Sequence, residues 1–305
     1  MEGRTGRRSR PFGTLILLLA AAIWGFAFVA QRAGMEHLGP FSFNALRFLL
    51  GSFFLLPILR WRQRRAARPE RLAEASTRWG LLIVGLILFG AATLQQVGLL
   101  TTAAGKAGFI TGLYVILVPI YGLFLGQRVR SIVWAGALLA LGGLYLLTGL
   151  DSGGFQLGDG LLLLSSFGWA FHVQLAAWLV RRVDPVRVAV VQTAVCGVLS
   201  LIVAVATETI TLSAVRAAIP AIVFAGILSV GIAYTLQLVG QRSVDPARAG
   251  ILISLETVFA VLGGWAVLGE TVTGVMLSGC GLMLAGMTLS QLGGRRTRVA
   301  QDPAR

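Results

Sequence analysis

The chain has 305 residues, of which 56% are hydrophobic and only 12% charged, and its mean hydropathy is +0.82. A soluble globule of this composition would be coated in apolar surface, so lipid is the solvent for most of the chain. The formal charge of +14 does not point to nucleic acid as a partner, because the arginines sit in short gaps between apolar runs and not on a wetted face.

A bilayer core of roughly 30 Å takes about 20 helical residues, and ten apolar runs of about that length succeed one another. Residues 1–12 form a basic tail ahead of the first span, 13–33. Arg4, Arg7, Arg8 and Arg10 followed by the apolar stretch from Thr14 to Ile23 have the form of a secretory signal peptide. The stretch stays apolar to Ala30, however, and its pattern recurs near Gly158 in mid-chain, so it reads as a permanent span. The next four spans are expected over 41–59, 79–100, 104–125 and 131–149. Spans six to ten follow over 159–180, 185–207, 217–239, 246–268 and 273–292, and residues 293–305 form a second basic tail. Glycine spacings such as Gly108 to Gly112 and Gly122 to Gly126 suit close helix approach, while Pro57 and Pro119 are candidate kinks. Cys196 and Cys280 lie in separate runs, which gives neither a disulfide framework nor a metal site.

Lys and Arg near span ends are held on the cytoplasmic side. On alternate connections and tails they number 22, on the opposite set only 3 (Arg32, Lys106 and Arg216), and Arg47 lies inside a span. Both termini are therefore expected in the cytoplasm of a cell with the chain in its inner membrane.

A shift of 145 residues places Gly13 on Gly158, Leu17 to Leu19 on Leu162 to Leu164, Trp24 on Trp169, Phe26 on Phe171 and Pro40 on Pro185. A shift of 143 matches Leu125, Gly126, Val129, Gly136, Leu139, Leu141, Gly143 and Leu146 with Leu268, Gly269, Val272, Gly279, Leu282, Leu284, Gly286 and Leu289. The repeated Trp, Pro and Gly positions point to an internal duplication, 13–149 and 150–292. Five spans per copy is an odd number, so the second copy enters the membrane from the opposite face. The expected fold is an all-α membrane protein of ten transmembrane helices in two inverted five-helix repeats, an arrangement characteristic of secondary transporters.

Across residues 13 to 292 the chain resembles the EamA type of the drug/metabolite transporter superfamily. The resemblance rests on Trp24-Gly25-Phe26, on Asn44-Ala45-Leu46-Arg47-Phe48, and on Leu268-Gly269-Glu270 with its counterpart Leu125-Gly126-Gln127. The first copy has Gln127 where a Glu is usual. The resemblance implies a secondary transporter, working as an exporter, of a small organic metabolite such as an amino acid.

Counting inward from the span ends puts Trp24, Tyr114, Trp169 and Glu256 about 15 Å deep, near the midplane where transporter sites lie. Two readings stand for the aromatic residues: packing between helices, or a cavity wall that stacks on an aromatic or cationic solute. Arg47 and Glu256 are the Arg and the acid set well inside spans, and their depths differ by only about 5 Å, which allows either a direct ion pair or contact with substrate or protons. His172 is a candidate proton relay or a packed, hydrogen-bonded histidine. Gln96 and Gln237 occupy related places in the third and eighth spans, as cavity lining or as interhelical hydrogen-bonding groups.

No phosphate-binding loop, metal-spacing cluster or Ser-His-acid set is visible, so no cofactor is expected. The competing class is an intramembrane enzyme acting on a lipid or small molecule, which needs several convergent titratable groups; the membrane interior offers Arg47, His172 and Glu256. Expected partners are a small-molecule substrate and the lipid bilayer, with a homodimer left open.

Overall fold

In the computed structural model the described residues are 5–65, 75–102, 104–148, 156–268 and 271–292. Most of the arginine-rich connection, the junction between the expected repeats, the C-terminal tail and the Gly269-Glu270 pair of the second Leu-Gly-Glu motif lie outside them. Every regular element among the described residues is helical. In chain order these are α1 (Thr5–Met35), α2 (Pro40–Arg65), α3 (Ala75–Gly98), α4 (Ala104–Gly112), α5 (Tyr114–Phe124), α6 (Ser131–Thr148), α7 (Leu157–Leu179), α8 (Pro185–Thr207), α9 (Leu212–Val223), a π-helical stretch (Phe224–Ala233), α10 (Tyr234–Gly240), α11 (Pro246–Ile253), α12 (Glu256–Leu268) and α13 (Gly274–Leu292).

Helices are the solution that satisfies every backbone N–H and C=O inside an apolar solvent without a partner strand. Among the described residues seven helices are long and apolar enough to cross a membrane, taking the α9–π–α10 run and the first 18 residues of α11–α12 as one each. Three shorter apolar stretches, Pro11–Ala27, Phe109–Phe124 and Ser131–Leu146, fall at the expected first, fourth and fifth spans. Large apolar side chains such as Leu15, Phe53, Phe124, Leu163 and Val205 project outward, an exposure that suits lipid and not water. The chain is a multi-pass membrane protein.

The helix ends show why the sequence breaks where it does. The Asp184 carboxylate accepts from the Val186 N–H at 2.9 Å, with Pro185 in the first helical position of α8. Gln156 and Asp159 form a reciprocal capping box on α7. After α5 the chain turns at Gly126, whose φ of +72° is left-handed. There the Gln127 N–H reaches back to the Gly122 carbonyl at 2.8 Å, a helix terminator that only glycine enters without strain. The Leu-Gly-Gln motif is thus a helix stop, and its Gln127 donates to Gln174 Oε1 at 2.8 Å, tying the end of α5 to α7.

The segments matched by sequence also make matched contacts. A Cβ on Gly240 would meet Leu17 and the Gly13 carbonyl, and one on Gly98 would meet Leu162 and the Gly158 carbonyl; Gly13 and Leu17 lie 145 residues before Gly158 and Leu162. Where α6 packs on α13, a Cβ on Gly136 would lie 2.6 Å from the Gly286 carbonyl and one on Gly143 would lie 2.5 Å from that of Gly279. The lower-numbered residue of α6 thus meets the higher-numbered one of α13, so the two helices run antiparallel.

The α2–α8 pair is fastened at both ends. The Asp184 cap of α8 receives Arg62 from the end of α2 at 2.6 Å. At the other end Glu208, just beyond α8, accepts from the N–H groups of Phe41 (2.9 Å) and Ser42 (2.8 Å) and from the Ser42 hydroxyl. Gly39, ahead of Pro40, has no side chain to cap α2, and a Cβ there would run into the Glu208 carboxylate. The cap is supplied from across the helix pair.

Candidate functional site

Two apolar spans are interrupted at corresponding depths. Between α4 and α5 the ladder tightens at Leu113, whose N–H bonds three residues back to Ile110; Pro119, six residues on, has no N–H to offer the carbonyl four residues before it. Between α11 and α12 the same tightening occurs at Ser254–Leu255, where the Leu255 N–H bonds to Leu252. The hydroxyls of Ser254 and Thr257 take up the Ile251 and Ser254 carbonyls at 2.9 Å each, the local competition that bends helices. The residues after the two breaks, Tyr114 and Glu256, meet: the Tyr114 hydroxyl donates to Glu256 Oε1 at 3.2 Å. A carboxylate in the first turn of α12 also sits favourably at the positive end of that helix.

This junction lies against a cavity of about 70 Å³, space for about five waters at roughly 10–15 Å³ each. Trp24, Arg47, Tyr114, Trp169, Gln237 and Glu256 all line it, together with Gln31, Gln95, Thr111, Val173, Ser229, Tyr234 and Ile253. The indole rings are held at their polar edges, Trp24 donating to the Ser229 carbonyl at 3.1 Å and Trp169 to Gln95 Oε1 at 2.7 Å. Tyr234 stands edge-on to Trp24 with ring centroids 4.9 Å apart. These are oriented aromatic walls with satisfied donors. Ser229 belongs to the π-helical stretch, an irregularity that frequently accompanies functional sites, and Tyr234 begins the helix after it.

Arg47 is 6% exposed. Its Nε donates to Asn44 Oδ1 at 3.0 Å, and its guanidinium lies 4.8 Å from the Phe48 ring centroid and 5.6 Å from that of Phe43. Among the described residues no carboxylate comes within 4 Å of it. The direct pair with Glu256 that depth alone allowed is not formed; Glu256 takes Tyr114 instead.

Two expected residues lie outside the cavity. Gln96 is fully buried and donates to Met35 Sδ at 3.1 Å. Its predecessor Gln95 faces the cavity, since adjacent helical residues point about 100° apart. His172 is also fully buried, bonded to Gln192 at 3.0 Å and packed behind Trp169 and Tyr234 at 5.9 and 6.1 Å. That is the packed, hydrogen-bonded state and not a proton relay into the cavity. Sequence reasoning missed Gln31, Gln95, Thr111 and Tyr234. The signal that could have found Gln95 was its offset of 142 from Gln237, close to the repeat offset.

Known proteins with this architecture are informative. The EamA-like transporter family matches residues 11–149 and again 156–291. An Archaeoglobus fulgidus protein described as an uncharacterized transporter is 31% identical over 287 residues, covering 93% of this chain and 87% of its own. The aromatic amino acid exporter YddG of Ancylobacter novellus is 27% identical over 301 residues, covering 94% of this chain and all of its own. A solved crystal structure, 24% identical, superposes with a TM-score of 0.78 over 95% of this chain and 99% of that one, and so shares the fold. The chain belongs to the EamA-like transporter family.

Proposed function

We propose that the protein is a secondary transporter, working as an exporter, of a small organic metabolite such as an amino acid. It operates by alternating access between two inverted five-helix repeats, ten spans in all, in the inner membrane with both termini in the cytoplasm. The carrying observation is the cavity at the paired helix breaks: broken helices meeting at mid-depth are the usual setting of transporter sites, and here the two breaks come from opposite halves of the chain. The matched contacts of Gly13 and Leu17 with Gly240, and of Gly158 and Leu162 with Gly98, support the inverted duplication. Exchange of the two halves' conformations then turns an outward cavity into an inward one. The relative that exports aromatic amino acids supports the substrate class.

Everted vesicles and proteoliposomes loaded with a panel of amino acids and other metabolites test this reading. Flux of at least one solute without added nucleotide is expected, with Glu256→Gln inserting normally and losing at least tenfold in rate. Transport that requires ATP but no ion gradient contradicts a secondary mechanism. Reporter fusions after Arg68 and at the C-terminus should be active in the cytoplasm and one near Gly153 on the outer side; a cytoplasmic report from residue 153 sinks the ten-span arrangement.

A further inference from the structure

Arg47 and Glu256 line one cavity and do not pair with each other. Opposite charges in a low-dielectric interior attract strongly, and each left alone is costly. Their separation is maintained by separate partners: Arg47 is held on α2 by Asn44 and by the faces of Phe43 and Phe48, and Glu256 is held at the α12 break by Tyr114. A cationic solute compensates Glu256 but is repelled by Arg47, and an anionic solute has the reverse difficulty. A solute with both charges at its two poles compensates both.

Resting on the transport reading above, we propose that this site selects zwitterions by their two charges. Arg47 takes the carboxylate of a free α-amino acid and Glu256, with Tyr114 steadying it, takes the ammonium. The guanidinium offers a planar fork that matches a carboxylate with two hydrogen bonds, and the Glu256 oxygens accept from an ammonium. The apolar side chain of the solute then lies along Trp24, Trp169 and Tyr234, whose own polar atoms are directed to the protein or away from the cavity centre in the case of the two indoles. Amino acids whose amine or carboxylate is blocked lose one pole and leave a buried protein charge uncompensated, which is a stronger basis for rejection than shape.

Calorimetric titration of the purified full chain in detergent with L-phenylalanine, phenyllactate (carboxylate only) and phenethylamine (ammonium only) tests the assignment. Phenylalanine is expected to bind at least tenfold more tightly than either analogue. Glu256→Gln should weaken phenylalanine at least tenfold and leave phenyllactate within threefold of its wild-type affinity; Arg47→Gln should weaken phenylalanine equally and spare phenethylamine. If Arg47→Gln does not fold, Arg47→Lys replaces it and must keep the preference for phenylalanine over phenethylamine. Variants that weaken all three ligands in proportion overturn the proposal, as does wild-type protein that takes an analogue as tightly as phenylalanine or binds none of the three. Vesicle flux separates this failure from the broader one: movement of any other solute leaves the transport reading standing, whereas no flux across the whole panel removes both.

Discussion

Where α6 meets α13, Gly136 and Gly143 face Gly286 and Gly279, and each glycine has its counterpart 143 residues away. Around the cavity the copies have parted: Trp24 keeps its counterpart in Trp169, but 145 residues after Arg47 stands Gln192, which bonds His172 outside the cavity. The difference has a physical cause. Backbones in contact leave no volume for a Cβ, so both halves of the seam carry glycine. A cavity that receives an asymmetric solute needs unlike groups on its two sides, so one copy supplies Arg47 and the other Glu256.

The largest expected effect sets the seam against its own neighbour. Gly143→Ala should cost roughly 1–3 kcal/mol, because its Cβ would press on the Gly279 carbonyl and the Met283 backbone. Gly142→Ala, whose Cβ meets nothing within 4 Å, should stay within about 0.5 kcal/mol of the wild type. Melting of the two variants in the same detergent decides the point; equal stabilities would break the account of the seam.

The α2–α8 pair lies between the two cases, fastened at both ends by different chemistry, and it sharpens the comparison. Removing the borrowed cap with Glu208→Ala leaves the Phe41 and Ser42 N–H groups without their acceptor and should cost about 1 kcal/mol, in the usual range for a lost cap. Melting or protease susceptibility of the α2 end reads it, and no change would mean that water replaces the carboxylate fully. Arg62→Ala at the opposite end should have the smallest effect, at most about 1 kcal/mol and falling with added salt. That side chain is 44% exposed, and surface ion pairs contribute little. A larger loss for Arg62→Ala than for Glu208→Ala would reverse the ranking of the two clamps.

Much of the architecture was legible in the chain. Apolar runs locate the helices, and the expected spans 185–207 and 273–292 lie within a residue of α8 and α13. The helical breaks were less legible. The fourth and ninth spans read as continuous apolar runs, yet each is tightened near its middle, because hydropathy does not register a single turn whose hydrogen bonds shift from four residues back to three. Pro119 hinted at irregularity there, and Ser254 and Thr257 acted through hydroxyls that a hydropathy profile counts as nearly neutral. Other helices outran their expected limits: α2 continues to Arg65, because charged residues at a membrane surface end the apolar run without ending the helix.

The sequence by itself determined the membrane solvent, the helical class, the duplicated Gly, Trp and Pro positions and the depth of the charged groups, since each of these follows from composition, period or offset along one chain. Only the tertiary structure decided which groups face one another. Depth allowed Arg47 to pair with Glu256, yet Asn44 holds one and Tyr114 the other. Gln96 and His172 have the right depth and the wrong azimuth, and Gln95 and Tyr234 take the places in the wall. Rise along a helix is fixed at 1.5 Å per residue and can be counted in advance. The rotation of each helix about its own axis is set by how its glycines and large side chains seat against neighbours, and that emerges only when all the helices pack together.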